Sequence, residues 1–445
     1  MKIFIAVVLC KLIYFIGKKF GKGSSLPGKI VLKLFPDILK CIHMPETIIA
    51  VSGSNGKTST VEMAAHILTG NGINVIWNKE GSNQIEGVAT FLLNNCNTKG
   101  TVIADAVLLE SDERYARITF KYFTPTHFVI TNLYRDQMTR NAHSEWIFDI
   151  LNDAVKPETL LILNADDPLV SCFGINHEKT VYFSMDKNKY SATVAQGVYN
   201  DGKYCPVCKA PLEYEYYNMA HIGKYKCTSC SLHTHDAMCK ITDVDLENKK
   251  IVFDGQYEIS LNFASMFNVY NLLAAFTLAA VLNLDKQKTA ELLNGYILKN
   301  GRIIQFRINA HNGILLTSKH ENSVSYNQSI DYIKRNEKNS IVMIMVDAIS
   351  RKYYTSETSW LFDIDFKGLS ESKADKIILT GKYAYDLAVR FEFTDIARKK
   401  ITVEPNIDTA VNLLSEYGGD DDIFVVTCFS DKDKFLSRIQ ENIVH

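Results

Sequence analysis

Residues 46–72 read ETIIAVSGSNGKTSTVEMAAHILTGNG, and the fold is decided here. Ile48–Val51 is a short apolar run, suited to a parallel strand buried on both faces. Gly53-Ser54-Asn55-Gly56-Lys57-Thr58 follows, then a helix with Met63, Ala64, Ile67 and Leu68 at apolar positions. Strand, glycine loop and helix in that order make a phosphate site. Glycines let backbone N–H groups approach oxygens, and a helix N-terminus favours anions. Lys57 neutralises charge, and the Thr58 hydroxyl can hold Mg²⁺. Where a full Walker A motif has its first glycine, this chain has Val51.

Three later segments repeat the strand-then-polar pattern. Ala104–Leu109 runs into Glu110-Ser111-Asp112-Glu113, and His127–Ile130 into Thr131-Asn132-Leu133-Tyr134-Arg135-Asp136-Gln137. Thr159–Leu163 runs into Asn164-Ala165-Asp166-Asp167-Pro168. Ligands of open α/β sheets bind beyond the carboxyl ends of the strands. Carboxylates near a phosphate loop commonly hold Mg²⁺ through oxygen. Taken together, the three acidic strand ends predict an α/β domain with a parallel sheet and a nucleotide–metal site.

Length and composition are consistent with this. At about 100–200 residues per domain, 445 residues make two to four domains. With 47% hydrophobic residues and 22% charged, the composition supports a sizeable core and argues against wholesale disorder. Lys+Arg of 49 against Asp+Glu of 50 gives a net charge of −1, which argues against a nucleic-acid coat or a polybasic membrane anchor but leaves room for a local basic pocket. The opening MKIFIAVVLCKLIYFIGKKFGKG is the most apolar segment, yet Lys11 interrupts it and Lys18-Lys19 ends it. It is too short and broken to span a bilayer, and no A-x-A-like cleavage site follows. A helix packed on the next domain is the plain reading. Alternating apolar residues and lysines also suit a helix touching a membrane surface. The expected place is the cytoplasm, with the inner face of the plasma membrane as the finer alternative.

The ten cysteines divide by spacing. Cys205-Pro-Val-Cys208 and Cys227-Thr-Ser-Cys230 form two C-x-x-C knuckles, separated by 18 residues, which can wrap one tetrahedral Zn²⁺. Leu212–Tyr217 and Gly223–Lys226 between them suit the strands of a hairpin. Four sulfur ligands close the coordination sphere, so the role is structural. Cys10, Cys41, Cys96, Cys172, Cys239 and Cys428 have no partnered spacing and read as reduced thiols.

With these motifs in order, the chain resembles the Mur ligase family of ATP-dependent enzymes that join an amine to a carboxylate in peptidoglycan synthesis. The resemblance rests on Ser52–Thr58, Thr131-Asn132-Leu133, Asn164-Ala165-Asp166-Asp167, Phe267-Asn268-Val269-Tyr270-Asn271 and Gly301-Arg302. Asn78-Lys79-Glu80-Gly81-Ser82-Asn83, the acidic runs and the inserted cysteine ribbon are similar to its MurT-like branch. That branch implies three parts: an N-terminal helical segment 1–45, a central ATP-binding domain 46–300 with a zinc ribbon at 201–236, and a C-terminal α/β domain 301–445. It implies ATP, Mg²⁺ and structural Zn²⁺ as cofactors.

By resemblance, Gly53, Asn55, Gly56, Lys57, Thr58 and Ser59 hold the ATP phosphates, and Thr58 and Glu110 hold Mg²⁺. Asn268 and Asn271 serve the adenine side, and Arg302 the phosphate end. The implied reaction amidates the α-carboxylate of D-glutamate in the stem peptide of lipid II to D-isoglutamine, through an acyl phosphate. Ammonia would come from a separate, GatD-like glutaminase subunit. In the C-terminal part, Ser340–Val346 reads as a strand ending at Asp347, and Ser359-Trp360-Leu361-Phe362-Asp363 follows. A carboxylate of this region is implied to orient the partner's imidazole: Asp347 first, Glu357 in reserve. Two positions depart from the branch. Thr139 stands in place of Asp, and Lys319-His320-Glu321 in place of Lys-Asn-Pro. A Mur-type ligase with another amine or carboxylate, and an ATP-binding scaffold without turnover, are the competing readings. Retained Lys57, Thr58 and Glu110 count against the scaffold.

Overall fold

The computed structural model describes the chain except residues 20–23, 80–81, 264, 299–302, 309–310, 349–356, 417–420 and 440–445, and the side chains of 139 and 140. It divides into two compact units. The first comprises 1–134, 143–195 and 201–298; the second comprises 135–142, 196–200 and 299–445.

The first unit is built on a nine-stranded sheet. In chain order its strands are β1 Thr47–Ser52, β2 Val75–Trp77, β3 Ala106–Glu110, β4 His127–Ile130, β5 Leu160–Asn164 and β6 Thr180–Met185. β7 Leu212–Met219 and β8 Ile222–Cys227 form a separate hairpin, and β9 Cys239–Asp245, β10 Lys250–Phe253 and β11 Tyr257–Ser260 rejoin the sheet. The order is β11-β10-β9-β6-β5-β4-β1-β3-β2. Strands from β2 to β9 pair in parallel; β9, β10 and β11 pair antiparallel. β1 lies between β4 and β3 with Ile49, Ala50 and Val51 wholly buried, which is why its sequence is apolar at consecutive positions. Helix Met266–Val281 packs against helix Lys57–Gly70 and is buried along most of its length. Its alanine-rich sequence allows that close approach. Helices Lys2–Lys18 and Leu26–Leu34 pack with Ile85–Asn94 around Ala6, Val7, Cys10, Val31, Val88 and Leu92.

The second unit carries β12 Ile303–Ile308, β13 His311–Ser318, β14 Ser340–Met345, β15 Ala374–Thr380, β16 Ile401–Glu404 and β17 Asp422–Cys428. The order is β12-β13-β17-β14-β15-β16, parallel except for the β12–β13 hairpin. Every residue of β14 is buried, because side chains alternate into two cores. Val342 and Ile344 enter one, and Ile341, Met343 and Met345 the other.

Candidate active site

The phosphate loop sits at the carboxyl end of β1. Gly53 and Gly56 both have positive φ, +134° and +86°. A Cβ on Gly53 would stand 2.3 Å from Thr131 Oγ1, and one on Gly56 1.9 Å from Asn271 Oδ1. Neither position admits a side chain. Thr131-Asn132 from the end of β4 then holds the loop. The Asn132 carbonyl accepts from Ser54 N–H at 2.9 Å. Its side chain accepts from Asn55 N–H at 2.9 Å, and Thr131 Oγ1 donates to the Asn55 carbonyl at 2.8 Å. Ser54 Oγ accepts from Tyr134 N–H at 3.0 Å. The loop is therefore preorganised by side chains that sequence reading had grouped but given no role.

Lys57 begins its helix and is buried, with Nζ 2.5 Å from the Gly53 carbonyl and 2.5 Å from Glu113 Oε1. The next residue, Thr58, donates to Glu110 Oε2 at 2.7 Å. Glu110 ends β3; its other oxygen accepts from Asn83 at 2.9 Å, and its backbone is bracketed by both ends of the Asn78 amide. A hydroxyl and a carboxylate at this distance, beside a half-buried asparagine amide, are the hard oxygen donors that Mg²⁺ requires. The predicted set Gly53, Asn55, Gly56, Lys57, Thr58, Ser59 and Glu110 thus falls on one loop, one helix start and one adjoining strand end. Asn271 lies over Gly56 and donates to Asn268 at 3.2 Å, so Asn271 borders the loop and Asn268 stands next to it on helix Met266–Val281. Arg302 lies outside the described residues.

The other acidic strand ends do different work from that expected. Asp167 accepts Leu133 N–H at 2.9 Å and caps the turn Pro168–Ser171 through Leu169 and Val170 N–H. Asp166 accepts Met185 N–H and the Tyr270 hydroxyl, both at 2.8 Å. Burial pushes the Asp166 carboxyl up to about 7, against those two donors. Asp136 belongs with the second unit, where Lys319 pairs with it and Asn322 donates to it at 2.9 Å. Of the acidic residues, Glu110 and Glu113 meet the phosphate loop. Glu113 stood in the quoted run, but spacing along a chain cannot tell which of two acids reaches a lysine 56 residues away.

The four ribbon cysteines converge, with their sulfurs all within 4.8 Å of one another; Cys205–Cys230 is 3.6 Å and Cys208–Cys227 is 3.4 Å. Zn–S bonds of about 2.3 Å in a tetrahedron set sulfurs about 3.8 Å apart, so this set fits zinc. Each knuckle is shaped by backbone bonds, Lys209 N–H to Cys205 O at 2.9 Å and Cys227 N–H to Leu232 O at 2.7 Å. Ser229 and Cys230 N–H both point at Cys227 sulfur at 3.4 Å and draw its thiol down to about 6. The hairpin β7–β8 that the knuckles close also reaches the acidic loop. Gly223 N–H donates to Asp166 O at 3.0 Å, and His221 stands 3.7 Å from Asp167.

In the second unit, Asp347 follows β14. Lys382 N–H donates to it at 2.9 Å, and Lys434 pairs with it. Burial opposes its charge, but Lys434 and the Lys382 amide outweigh burial and hold the carboxyl below its ordinary value. Asp431, fully buried after β17, accepts Asp347 N–H at 3.0 Å and Ala348 N–H at 2.8 Å and pairs with Lys434 at 3.0 Å. Glu357 accepts Ser359 N–H at 2.6 Å, a local contact two residues along the chain at the start of the turn Ser359–Asp363. His320, at the end of β13, meets Ser430 Oγ at 2.5 Å.

Comparison with known proteins agrees with these motifs. Residues 51–279 match the Mur ligase middle domain, and 320–430 the MurT ligase C-terminal domain. The chain is 30% identical over 422 residues to "Lipid II isoglutaminyl synthase (glutamine-hydrolyzing) subunit MurT" of Staphylococcus aureus (strain COL), covering 94% of each. It is 31% identical to the protein of that name from Streptococcus pneumoniae, covering 90% of this chain and 89% of that one. Among solved structures, the fold is shared with a pseudomurein peptide ligase type C from Methanothermus fervidus, at TM-score 0.70 and 24% identity over 91% of this chain and 80% of that one. It is shared too with MurF from Acinetobacter baumannii, at TM-score 0.65 and 15% identity over 93% and 80%. A phosphate loop completed by Thr131-Asn132 and Glu110, followed by this second unit, places the chain in the MurT branch of the Mur ligase family.

Proposed function

We propose that this chain is the synthetase subunit of an ATP-dependent ligase that amidates the α-carboxylate of D-glutamate in lipid II, with ammonia supplied by a GatD-like glutaminase partner. The observation that carries the reading is the joint Lys57–Glu113 and Thr58–Glu110 arrangement on one glycine loop, in a chain aligned over 94% to relatives so named.

The loop from Gly53 to Gly56, with Ser54 and Asn55 N–H held by Asn132, presents the helix start at Lys57, Thr58 and Ser59 to the phosphates. Lys57 exchanges Glu113 for phosphate oxygen. Thr58 and Glu110 would hold Mg²⁺, which neutralises phosphate charge when bound there. Asn268 and Asn271 line the adenine side, and Arg302 steadies the phosphate end. The chemical demand is electrostatic: an anionic carboxylate must approach a phosphoryl group, so cations must crowd that space. An oxygen of the acceptor carboxylate bonds to the γ-phosphorus of ATP, the bond to the bridging oxygen breaks, ADP leaves, and an acyl phosphate remains. Ammonia then attacks its carbonyl carbon, the C–N bond forms, the C–O bond to phosphate breaks, and nitrogen loses a proton. Cys205, Cys208, Cys227 and Cys230 would hold Zn²⁺ as a structural clasp with no open position.

The functional parts are then 1–45, the ATP-binding 46–300 with its ribbon 201–236, and 301–445 facing the glutaminase. Asp347, kept ionised by Lys434, orients the partner's imidazole; Glu357 is already engaged with Ser359. The chain works at the inner face of the plasma membrane, beside its lipid-linked acceptor. The test is to combine the chain with its partner, lipid II, ATP and either glutamine or ammonium, and to weigh the product. Both nitrogen sources yield the amide with the parent chain. Asp347→Asn loses the glutamine-driven product and keeps the ammonium-driven one. No amide from either source with the parent chain overturns the reading.

A further inference from the structure

We propose that the outward face of helix Lys2–Lys18 seats this chain on an anionic lipid bilayer. The helix has two apolar faces, which a helix serving only the protein core does not need. Its inner side is occupied: Ala6, Val7 and Cys10 are wholly buried, and Lys11 reaches back to the Cys96 carbonyl at 2.8 Å. Its outer side exposes Phe4, Ile5, Val8, Leu12, Phe15 and Ile16, each by 45% or more. At 100° per residue these six side chains fall within an arc of about 120°, a single stripe about three and a half turns long.

The charge distribution names the occupant. Residues 1–45 hold eight Lys against one Asp, a charge of +7, in a chain whose total is −1. The remaining 400 residues therefore carry −8. Lys2 and Lys18 lie on the two flanks of the stripe, Lys19 stands over the Phe15 ring at 5.4 Å, and Lys29 and Lys33 on the next helix are exposed. An apolar stripe rimmed by lysine suits headgroup phosphates and the acyl boundary beneath them, with the lysine stems snorkelling along the apolar surface. A second protein would need its own matching acidic, apolar surface; a bilayer supplies both layers at once. No helix among the described residues is long and apolar enough to cross a membrane, so the helix lies in the interface plane.

The same segment borders the candidate active site. A cavity of about 370 Å³ is lined by Tyr14 and Ser24 from the N-terminal segment, and by Trp77, Asn78, Lys79 and Ser82 from the other side. Asn78 is the residue that brackets the Glu110 backbone. A chain lying on its N-terminal helix would present this cavity close to the headgroup layer, where a lipid-linked acceptor is held. The inference deepens the function proposed above, and its test uses neither lipid II nor ATP, so the two fail separately.

The experiment floats the full chain with vesicles of equal parts phosphatidylglycerol and phosphatidylcholine, and with phosphatidylcholine alone. The parent chain rises with the anionic vesicles, and salt weakens its binding. Phe4→Ser/Leu12→Ser/Phe15→Ser lowers the partition on the order of 100-fold. Lys18→Gln/Lys19→Gln lowers it about 30-fold on the anionic vesicles and leaves the neutral ones unchanged. Circular dichroism checks that both variants fold. Phe15→Trp reports the face directly, its emission moving to the blue on vesicle addition. A parent chain that stays at the bottom with anionic vesicles overturns the proposal, as does a triple Ser variant that floats equally well. Concentration-dependent dimerisation lost in the triple variant, without vesicle binding, assigns the face to a second copy and overturns it too.

Discussion

Each sheet carries, at its carboxyl end, a lysine held between oxygen acceptors, and the two sites differ in how much water reaches them. Lys57 lies between the Gly53 carbonyl and Glu113 with its side chain 10% exposed; Lys434 lies between Asp347 and Asp431 with 42% exposed. In the first, the effective dielectric is low, the loop around the lysine is fixed by Thr131, Asn132 and two glycines, and the charge has little alternative to its partner or a ligand. In the second, water competes for Lys434 and Asp347, while Asp431 beneath them is wholly buried, its Oδ2 accepting two backbone N–H groups. The first arrangement suits a site that must stabilise developing charge. The second suits a carboxylate displayed on a rigid base.

The sharpest break of this comparison is at Lys57. Lys57→Met is expected to lower ATP turnover by about 10³-fold or more, because the cation proposed to meet the phosphates is gone. It also leaves Glu113 buried without its ion pair, a cost of about 3–5 kcal/mol in denaturant unfolding. Lys57→Met/Glu113→Gln separates the two effects: stability returns toward the parent, turnover does not. If turnover recovers with stability, Lys57 is a structural ion-pair residue and the contrast with Lys434 collapses.

Asp166 gives the next largest effect. Its folded value near 7 lies above the unfolded carboxyl value, so the folded state binds the extra proton between about pH 4 and 7. The contribution is fully present below the unfolded value and is lost as pH rises through 7. The loss approaches about 4 kcal/mol by linkage. Asp166→Asn keeps an acceptor for Met185 N–H and Tyr270 and cannot ionise. Urea unfolding of parent and variant should therefore agree best near pH 4, with the variant the more stable above pH 7. Parallel profiles across that range would mean that the two donors, rather than burial, govern Asp166.

How much of this was legible in the sequence follows from how local each constraint is. The loop Gly53–Thr58 could be read because positive φ at two glycines, a strand before and a helix after are all set by neighbours in the chain. The cysteine ribbon could be read because two C-x-x-C knuckles fix their own geometry, and the hairpin β7–β8 lies where the sequence put it. The acidic strand ends were harder. Asp166 and Asp167 have the residue type and place of metal ligands, yet their oxygens accept Met185, Leu133, Leu169 and Val170 N–H groups. Which way a strand-end carboxylate turns depends on donors 2 to 104 residues away. The antiparallel extension β9–β11 had no local mark either, since an edge strand and a loop share much of their polarity.

Asp347 and Asp431 provide the smallest effect and the finest test. Both pair with Lys434, which is 87 residues from Asp347 and three from Asp431, so chain distance says nothing of their worth. Asp347→Ala removes a partly exposed ion pair and one backbone acceptor, and should cost about 1 kcal/mol or less. Asp431→Ala strands the Asp347 and Ala348 N–H groups at the end of β14, and should cost about 2–3 kcal/mol. The pH dependence has the opposite sign to that of Asp166. Asp347 is held below its ordinary value when folded, so its contribution is present above the unfolded carboxyl value and fades as pH falls through the folded one. Denaturant midpoints of parent and Asp347→Asn should thus differ at neutral pH and converge in acid. Equal costs for Asp347→Ala and Asp431→Ala would mean that water does not reach Lys434, and that this end of the second sheet is as closed as the phosphate loop.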